Sequence, residues 1–320
     1  MPRVRTLMWI SGAALLSGAI AGQALAPDML PCAYPGTLVP LAPDRPSESQ
    51  AERNRAAGPL DDLAIVRDVA YGPGARHRLD IYRPRAPDTG PDSGKGKPVV
   101  VFFYGGSWAE GSKAGNAWVG ATLARQGYVV VIPDYRIYPA ARWPDFIEDN
   151  AAAVKWARDH ARAYGGDPAR LVLMGHSAGA FDAASLAVDR RWLAAVGLEP
   201  QRDIAAVIGL SGPYNLLPYS CRMKWIYGAR EQWADARPIN HVDGRSPPML
   251  LLTGELDSSA HPWDSDQLAD KVRAHGGRAE VVHYPGFGHS DTLDALLPAG
   301  GGPSPVLAEI RRFLAASLEP

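Results

Sequence analysis

The chain has 320 residues, of which 46% are hydrophobic and 21% charged, and its formal net charge at pH 7 is −1. This composition supplies enough apolar material for the core of a large α/β domain. No cluster of Lys and Arg interrupts the chain, which argues against nucleic acid as the main partner because phosphate contacts need grouped positive charge.

The N-terminus differs from the rest of the chain in its charge pattern. Two arginines in the first six residues precede the uncharged, mostly apolar stretch Leu7–Ala26. This order is typical of a signal peptide or an N-terminal membrane anchor, so we expect residues 1–26 to direct export to the periplasm or the medium, or membrane attachment. Small residues end the stretch as in a cleavage site, but Pro27 disfavours cleavage. Removal, retention and packing of this stretch on the protein body all stay open.

Residues 27–61 are rich in Pro, Ala, Ser and charge, which predicts a linker or a loosely packed extension. This segment contains Cys32, and Cys221 is the second of the two cysteines in the chain. In an oxidising compartment the two could form a disulfide. Their spacing does not favour that pairing over two unrelated buried thiols.

Strands and helices are predicted to alternate from residue 62 onwards, so 62–320 is expected to form one domain. The first two strands flank "GPGAR" as a hairpin. Later strands are indicated by the apolar runs "VVVFFYG", "YVVVIPDY", "LVLMG", "IAAVIGLSG", "PPMLLLTG" and "AEVVHYPG". Helices are predicted at 115–126, 145–164, after "GHSAG", at 263–275 and from Ser304. The alternation predicts a mostly parallel central sheet with helices on both faces and the chemistry at the carboxyl ends of the strands.

The motif "GHSAG" follows one of these strands and opens a helix. That context is typical of a nucleophile elbow, in which a tight turn points Ser177 out of the sheet. The alternative is a small residue in an ordinary turn. The context favours Ser177 as the nucleophile, with small residues required at 175 and 179.

A nucleophilic serine needs a base, and the base needs an orienting acid. Asp257 comes just after the strand "PPMLLLTG", and His289 comes after the strand "AEVVHYPG". The order Ser177, Asp257, His289 is the order expected for α/β hydrolases. Glu255 is the competing acid, and the competing bases are His176, His261 and His283.

The stretch "FFYGGSW" predicts the other half of the site. Gly105 and Gly106 follow a central strand, where bare backbone can approach a substrate carbonyl. We expect the N–H groups of Gly106 and Ala178 to form an oxyanion hole. An ordinary glycine turn is the alternative.

Several motifs together resemble the α/β-hydrolase esterases near the hormone-sensitive-lipase branch, and especially the feruloyl- and acetyl-esterase-like group and the isoprenylcysteine methylesterases. They are "YGGSW", "IPDYRIYP", the stretch from "FIEDN" to "GHSAG", "LLTGELD" and "PGFGHSD". The resemblance covers about residues 62–318. It implies the α/β-hydrolase fold, the triad Ser177, Asp257 and His289, and an oxyanion loop at Gly105–Gly106. No metal and no organic cofactor is implied.

One position departs from that family pattern. The family usually has His-Gly-Gly where this chain has Tyr104 before its two glycines, so we expect the tyrosine hydroxyl to brace the loop. Tyr104 and Trp108 are also predicted to contact substrate, with Trp108 alternatively part of the core under the loop. In "PDYRIYP", Asp134 and Arg136 are predicted to form an ion pair. Residues 215–246, which contain Tyr219, Trp225, Tyr227 and Trp233, are expected either to roof the site or to pack as a surface excursion.

The predicted function is hydrolysis of a small-molecule carboxylic ester through an acyl-enzyme on Ser177. Amide hydrolysis of the arylformamidase or exopeptidase kind uses the same groups and is the main alternative. A third reading is a non-catalytic, hydrolase-like binding protein. The sequence does not specify acyl chain length, alcohol identity or oligomeric state.

Overall fold

The computed structural model describes residues 46–85, 96–216, 220–297 and 304–318. An eight-stranded sheet forms its centre, with the strand order β1-β2-β4-β3-β5-β6-β7-β8. The strands are β1 Leu63–Ala70, β2 Arg78–Pro84, β3 Lys97–Phe103, β4 Val129–Pro133, β5 Gly166–His176, β6 Ala206–Leu210, β7 Met249–Gly254 and β8 Ala279–Tyr284. β1 and β2 form the predicted antiparallel hairpin, β2 also pairs antiparallel with β4, and the other strands are parallel.

Helices connect the strands and cover the sheet. They are α1 Glu48–Ala56, α2 Ala117–Arg125, α3 Asp145–His160, α4 Ala178–Val188, α5 Arg190–Ala195, α6 Pro200–Asp203, α7 Cys221–Tyr227, α8 Arg230–Ala236, α9 Pro262–Ala274, α10 Asp291–Asp294 and α11 Pro305–Leu318. Short 3₁₀ turns lie at Ala114–Asn116, Ala161–Tyr164 and Pro238–His241.

Right-handed crossovers decide which face each helix covers. The chain moves one way across the sheet from β3 to β4 through α2, and the opposite way from β4 to β8, so α3, α4 and α9 cover the face opposite α2. With both faces covered, every residue of β4, β6 and β7 is buried. This burial explains why these strands are continuous apolar runs. The molecule therefore has the predicted α/β-hydrolase fold.

The structure differs from the sequence prediction at the start of the domain. Part of the expected linker forms α1, because Ser47 and Gln50 make a reciprocal capping box at its N-terminus. The helix is docked on the domain: the Asn54 amide donates to the Ala114 carbonyl at 2.9 Å and accepts from the Trp118 N–H at 2.9 Å. Residues from Ser47 onwards therefore belong to the folded body.

Two predictions on the N-terminal part of the chain fall on residues 1–45, which lie outside the described residues. They are the signal peptide or anchor at 1–26 and the pairing of Cys32. Cys221 is not a free thiol in the structure. Within the described ranges, no helix is long and apolar enough to cross a membrane.

Candidate active site

Ser177 occupies the turn between β5 and α4, at the carboxyl edge of the sheet. Its backbone has φ 53° and ψ −120°, a conformation that costs energy for any residue with a side chain. A Cβ added to Gly175 would lie 2.2 Å from the Gly179 carbonyl oxygen, and one added to Gly179 would lie 2.0 Å from the Phe103 carbonyl oxygen. Strand, turn and helix thus pack so closely that positions 175 and 179 require glycine.

The structure brings Ser177, His289 and Asp257 together in one hydrogen-bonded chain. His289 Nε2 lies 2.8 Å from Ser177 Oγ. His289 Nδ1 lies 2.8 Å and 3.0 Å from the two carboxylate oxygens of Asp257. The three residues follow β5, β8 and β7, whose parallel carboxyl ends meet at one edge. When His289 Nδ1–H donates to Asp257, Nε2 is left to accept from the serine hydroxyl.

The competing residues are placed elsewhere. His283 bonds to Asp266 at 2.9 Å, and the ring of His261 stacks on Trp263 with the centroids 4.0 Å apart. Glu255 is exposed to solvent. Of the histidines in the described ranges, His289 alone bonds to Ser177.

Asp257 is buried, and its carboxylate accepts backbone hydrogen bonds. Burial opposes its negative charge. However, hydrogen bonds from His289 and from the N–H groups of Ala260 and Ser259, the latter two at 2.8 Å, outweigh this cost and hold the pKa of Asp257 below its usual value. The carboxylate is therefore ionised at neutral pH and can orient His289.

The loop after β3 lies directly against the serine. A Cβ added to Gly105 would be 2.9 Å from Ser177 Cβ. Ala178 is the first residue of α4, where backbone N–H groups have no partner within the helix. In the described part of the chain, the N–H groups of Gly106 and Ala178 donate to no backbone carbonyl. The structure therefore places the Gly105–Gly106 turn against the serine, with the Ala178 N–H and the N-terminus of α4 directly after it.

Tyr104 braces this loop from below, as the sequence predicted. Its buried hydroxyl donates to Asp134 at 2.8 Å and accepts from Arg76 at 2.7 Å. Arg76 also donates to the Gly111 carbonyl at 3.0 Å. Both ends of the segment 104–111, which we call the oxyanion loop, are thus tied to one guanidinium group.

Trp108 belongs to the core under the oxyanion loop. Its indole N–H donates to Asp182 at 2.8 Å, and its ring packs edge-on against Tyr227 with the centroids 5.2 Å apart. Asp182 also accepts from the Asn150 amide at 2.9 Å, and burial raises the pKa of Asp182 well above its usual value. Because Tyr104 and Trp108 are both buried, neither presents a surface to a substrate, which corrects their prediction as substrate contacts.

His176, next to the nucleophile, connects the two halves of the site. Its Nε2–H donates to the main-chain carbonyl of His289 at 3.0 Å. A Cβ added to Gly105 would be 3.0 Å from its Nδ1. Burial, with a smaller contribution from His289, lowers the pKa of His176 to about 4. The ring is therefore neutral at physiological pH. It packs between the oxyanion loop and the segment between β8 and α10 that carries His289.

The predicted ion pair between Asp134 and Arg136 does not form. Asp134 lies 3.6 Å from Arg76, whereas Arg136 pairs with Asp149 of α3 at 2.8 Å. The chain leaves the sheet after β4, so the two side chains reach different elements. Both ion pairs still anchor the segment, one to the β1–β2 turn and the other to α3.

The BD-FAE protein-family profile matches residues 79–272, which is more than half of the sequence. The chain belongs to the BD-FAE family. The matched range includes β2 to α9 and therefore Ser177 and Asp257, whereas His289 lies beyond it.

Individual proteins extend this comparison. A probable isoprenylcysteine alpha-carbonyl methylesterase of Arabidopsis thaliana is 32% identical over 256 residues, which cover 71% of this chain and 51% of the relative. Esterase LipC of Mycobacterium tuberculosis is 31% identical over 249 residues, covering 71% and 60%. An esterase of Pyrobaculum calidifontis shares the fold with a TM-score of 0.66 and 23% identity, covering 84% of this chain and 89% of that one. The chain spans about half to three fifths of the length of these two curated relatives.

In this BD-FAE chain, the segment after β6 packs on the oxyanion loop. Arg222 of α7 lies 3.6 Å from Glu110 of that loop, and the Ile226 carbonyl accepts from the N–H of Trp143, which precedes α3, at 2.9 Å. Tyr227 and Trp233 are buried. Of the four aromatic residues predicted for the roof, Trp225 is half-buried and Tyr219 lies outside the described residues. The buried aromatic side chains serve packing, while the segment itself stabilises the loop beneath it.

Sequence reasoning missed Arg76 and Asp182 as supports of the site. Arg76 lies in a hairpin turn, where nothing local indicates that its side chain reaches the oxyanion loop. Asp182 carried a readable signal, because it is the one charged residue in the apolar helix "AGAFDAASLAV". A charge at such a position requires buried partners.

Proposed function

We propose that the protein hydrolyses carboxylic esters through an acyl-enzyme formed on Ser177. The observation that supports this most strongly is the unbroken hydrogen-bonded chain from Ser177 Oγ through His289 to Asp257, beside the oxyanion loop and the N-terminus of α4. The family and the names of the relatives agree with ester hydrolysis.

The geometry supports a two-step reaction. His289 Nε2 takes the hydroxyl proton as Ser177 Oγ attacks the ester carbonyl carbon. The C–O bond to the alcohol then breaks, and His289 returns the proton to the leaving alkoxide. Water attacks the acyl-serine with His289 again as the base, which releases the acid and restores Ser177.

Two groups stabilise the charges that appear during these steps. Gly106 and Ala178 N–H groups, with the N-terminus of α4, stabilise the tetrahedral oxyanion. Ionised Asp257 stabilises the imidazolium form of His289. Asp257 also keeps Nδ1 protonated, so that Nε2 faces the serine in the resting enzyme.

The first test is hydrolysis of p-nitrophenyl esters from acetate to palmitate by the wild type and by Ser177→Ala. The variant should lose about 10⁴- to 10⁶-fold in kcat/KM, the range seen when a triad acts as a unit. Near-normal cleavage by the variant would end the proposal.

Labelling with a fluorophosphonate probe separates the alternatives. A wild type that is labelled on Ser177 but cleaves none of these esters has a reactive serine and a different substrate, so aryl amides would be tested next. A wild type that is neither labelled nor active would indicate a binding protein.

We also propose that residues 1–26 export the protein, by acting either as a signal peptide or as a membrane anchor. The support is the order of positive charge and apolar residues. Fractionation of cells that express the full chain tests this, with N-terminal sequencing of the mature protein. A protein found only in the cytosol with its initiator region intact would contradict the proposal.

A further inference from the structure

A pocket of about 360 Å³ lies at the carboxyl ends of β6 and β7. One wall is the segment after β6, and the other is the turn after Asp257 together with the start of α9. Its lining residues include Asn215, Ser258, Ser259, His261, Trp263 and Asp264. The mechanism proposed above uses none of these six side chains.

The pocket adjoins the candidate triad. Ser259, in its wall, donates its backbone N–H to the Asp257 carboxylate at 2.8 Å. The charge of Asp257 also acts on Asp264 across the same turn. The pocket therefore lies next to the acid of the candidate triad, on the side of Asp257 that faces the start of α9.

Asp264, in the first turn of α9, places a mostly buried carboxylate in the wall. Only 9% of the residue is exposed, and the charged side chains in the described ranges that act on it are His261 and Asp257. Burial raises the pKa of Asp264 to about 6, with Asp257 adding to the rise, and the Asn215 backbone N–H and His261 opposing it. Above that pH the pocket contains a desolvated negative charge with no Lys or Arg among the described residues acting on it.

Trp263 gives the pocket an aromatic side. Its side chain is 53% exposed, although large apolar side chains elsewhere in the described domain are mostly buried. The His261 ring stacks on it with the centroids 4.0 Å apart, and the indole lines the pocket. An indole next to a carboxylate is the combination that attracts an organic cation.

We propose that this pocket binds a positively charged ammonium group of the ester substrate, with Asp264 as its counter-ion and Trp263 as its aromatic wall. The proposal rests on the esterase function proposed above. A neutral group would leave the carboxylate without a partner, and an anionic group would be repelled by it.

Matched pairs of esters test the proposal. In each pair, the quaternary nitrogen of the cationic ester is replaced by a quaternary carbon in the neutral ester. Acetylcholine and 3,3-dimethylbutyl acetate carry the group in the alcohol. The p-nitrophenyl esters of 4-(trimethylammonio)butanoate and 5,5-dimethylhexanoate carry it in the acyl chain. At pH 8 we expect kcat/KM for the cation to exceed that of its neutral partner about tenfold in at least one pair, as cation–π and ionic contacts of this kind predict.

Variants then assign the preference to the pocket. Asp264→Asn should bring the ratio in that pair close to one, and Trp263→Ala should lower it severalfold. Asp266→Asn is the matched control, because it removes a carboxylate from the same helix that pairs with His283 outside the pocket. The control should keep the wild-type ratio.

Choline binding measured by calorimetry reports on the pocket without catalysis. Binding that weakens at least fivefold in Asp264→Asn supports the proposal even if no ester is cleaved, in which case only the esterase function fails. Hydrolysis of the neutral esters without a preference for either cation would overturn the pocket proposal and leave the esterase function standing. The pocket proposal would also be overturned if Asp264→Asn kept the wild-type preference for the cationic ester. The same holds if the wild type neither bound choline nor preferred a cationic ester.

Discussion

The chain Ser177–His289–Asp257 and the oxyanion loop lie side by side, yet different interactions hold them in place. The three side chains bond to one another and to backbone N–H groups at neighbouring strand ends. The loop is held from a distance by Arg76, a residue of the β1–β2 turn, through Tyr104 and the Gly111 carbonyl.

The two regions also differ in the direction in which the pKa values of their carboxyl groups are shifted. Asp257 is kept ionised because hydrogen bonds outweigh its burial. Under the loop, burial raises the pKa of Asp134 despite the nearby Arg76, and raises that of Asp182 further. The hydrogen bonds to Asp257 thus keep the carboxylate of the triad ionised at neutral pH. The carboxyl groups of Asp134 and Asp182, by contrast, fix the position of the oxyanion loop from within a core that excludes water.

The largest predicted effect is on the reacting chain. Asp257→Asn should keep the bonds from Ser259 and Ala260 but present an amide N–H₂ to His289 Nδ1. Nε2 would then carry the proton and could not accept one from the serine. We expect kcat on p-nitrophenyl acetate to fall about 10⁴-fold with little change in melting temperature.

Asp266→Asn is the control for this prediction, because it makes the same change in a second His–carboxylate pair, which is solvent-exposed. An Asp257→Asn enzyme that retains more than a tenth of the wild-type kcat would show that this carboxylate does not set the tautomer of His289.

The second prediction concerns His176, where the two regions meet. Its folded pKa of about 4 lies below the ordinary value near 6.5. Between these values the unfolded chain binds a proton that the folded chain does not, so stability falls as pH falls through this window. Urea unfolding at pH 7 and pH 4.5 should show a loss of about 2–3 kcal/mol assignable to this residue.

In His176→Gln that part of the pH dependence should disappear, whatever the variant's stability at pH 7. His283→Gln changes an exposed histidine and should leave the pH dependence as in the wild type. Equal pH dependence in the wild type and in His176→Gln would mean that His176 is not desolvated.

The smallest effect is expected from the loop support. Arg76→Gln should lower kcat about tenfold to a hundredfold with KM nearly unchanged, because the oxyanion hole binds charge that exists only in the transition state. Tyr104→Phe should show the same pattern more weakly, since Arg76 still bonds to Gly111.

Arg158→Gln is the control that shows whether losing a buried ion pair is by itself enough to lower kcat. Arg158 pairs with the buried Asp203 at 2.9 Å. The variant should change in melting temperature but not in kcat. If Arg76→Gln raised KM and left kcat unchanged, Arg76 would support substrate binding and not the oxyanion hole.

Much of the reacting chain could be predicted without coordinates. Ser177 could be predicted as the nucleophile from its neighbours, because Gly175 and Gly179 flank it between a strand and a helix. This pattern is typical of the tight turn of a nucleophile elbow. Asp257 and His289 could be predicted because each follows an apolar run, and parallel strands bring such positions to one edge. The fold class followed from the same alternation of runs and helices.

Other features were decided by tertiary structure alone. No local pattern shows that Arg76 reaches the oxyanion loop, that Asp134 and Arg136 face different elements, or that Trp108 turns inward to Asp182. These contacts join residues from 13 to 74 positions apart. Their geometry depends on how the strands align across the sheet. Local periodicity and turn chemistry determine where a strand ends, whereas side-chain partners depend on which distant segments the packed core brings within hydrogen-bonding distance.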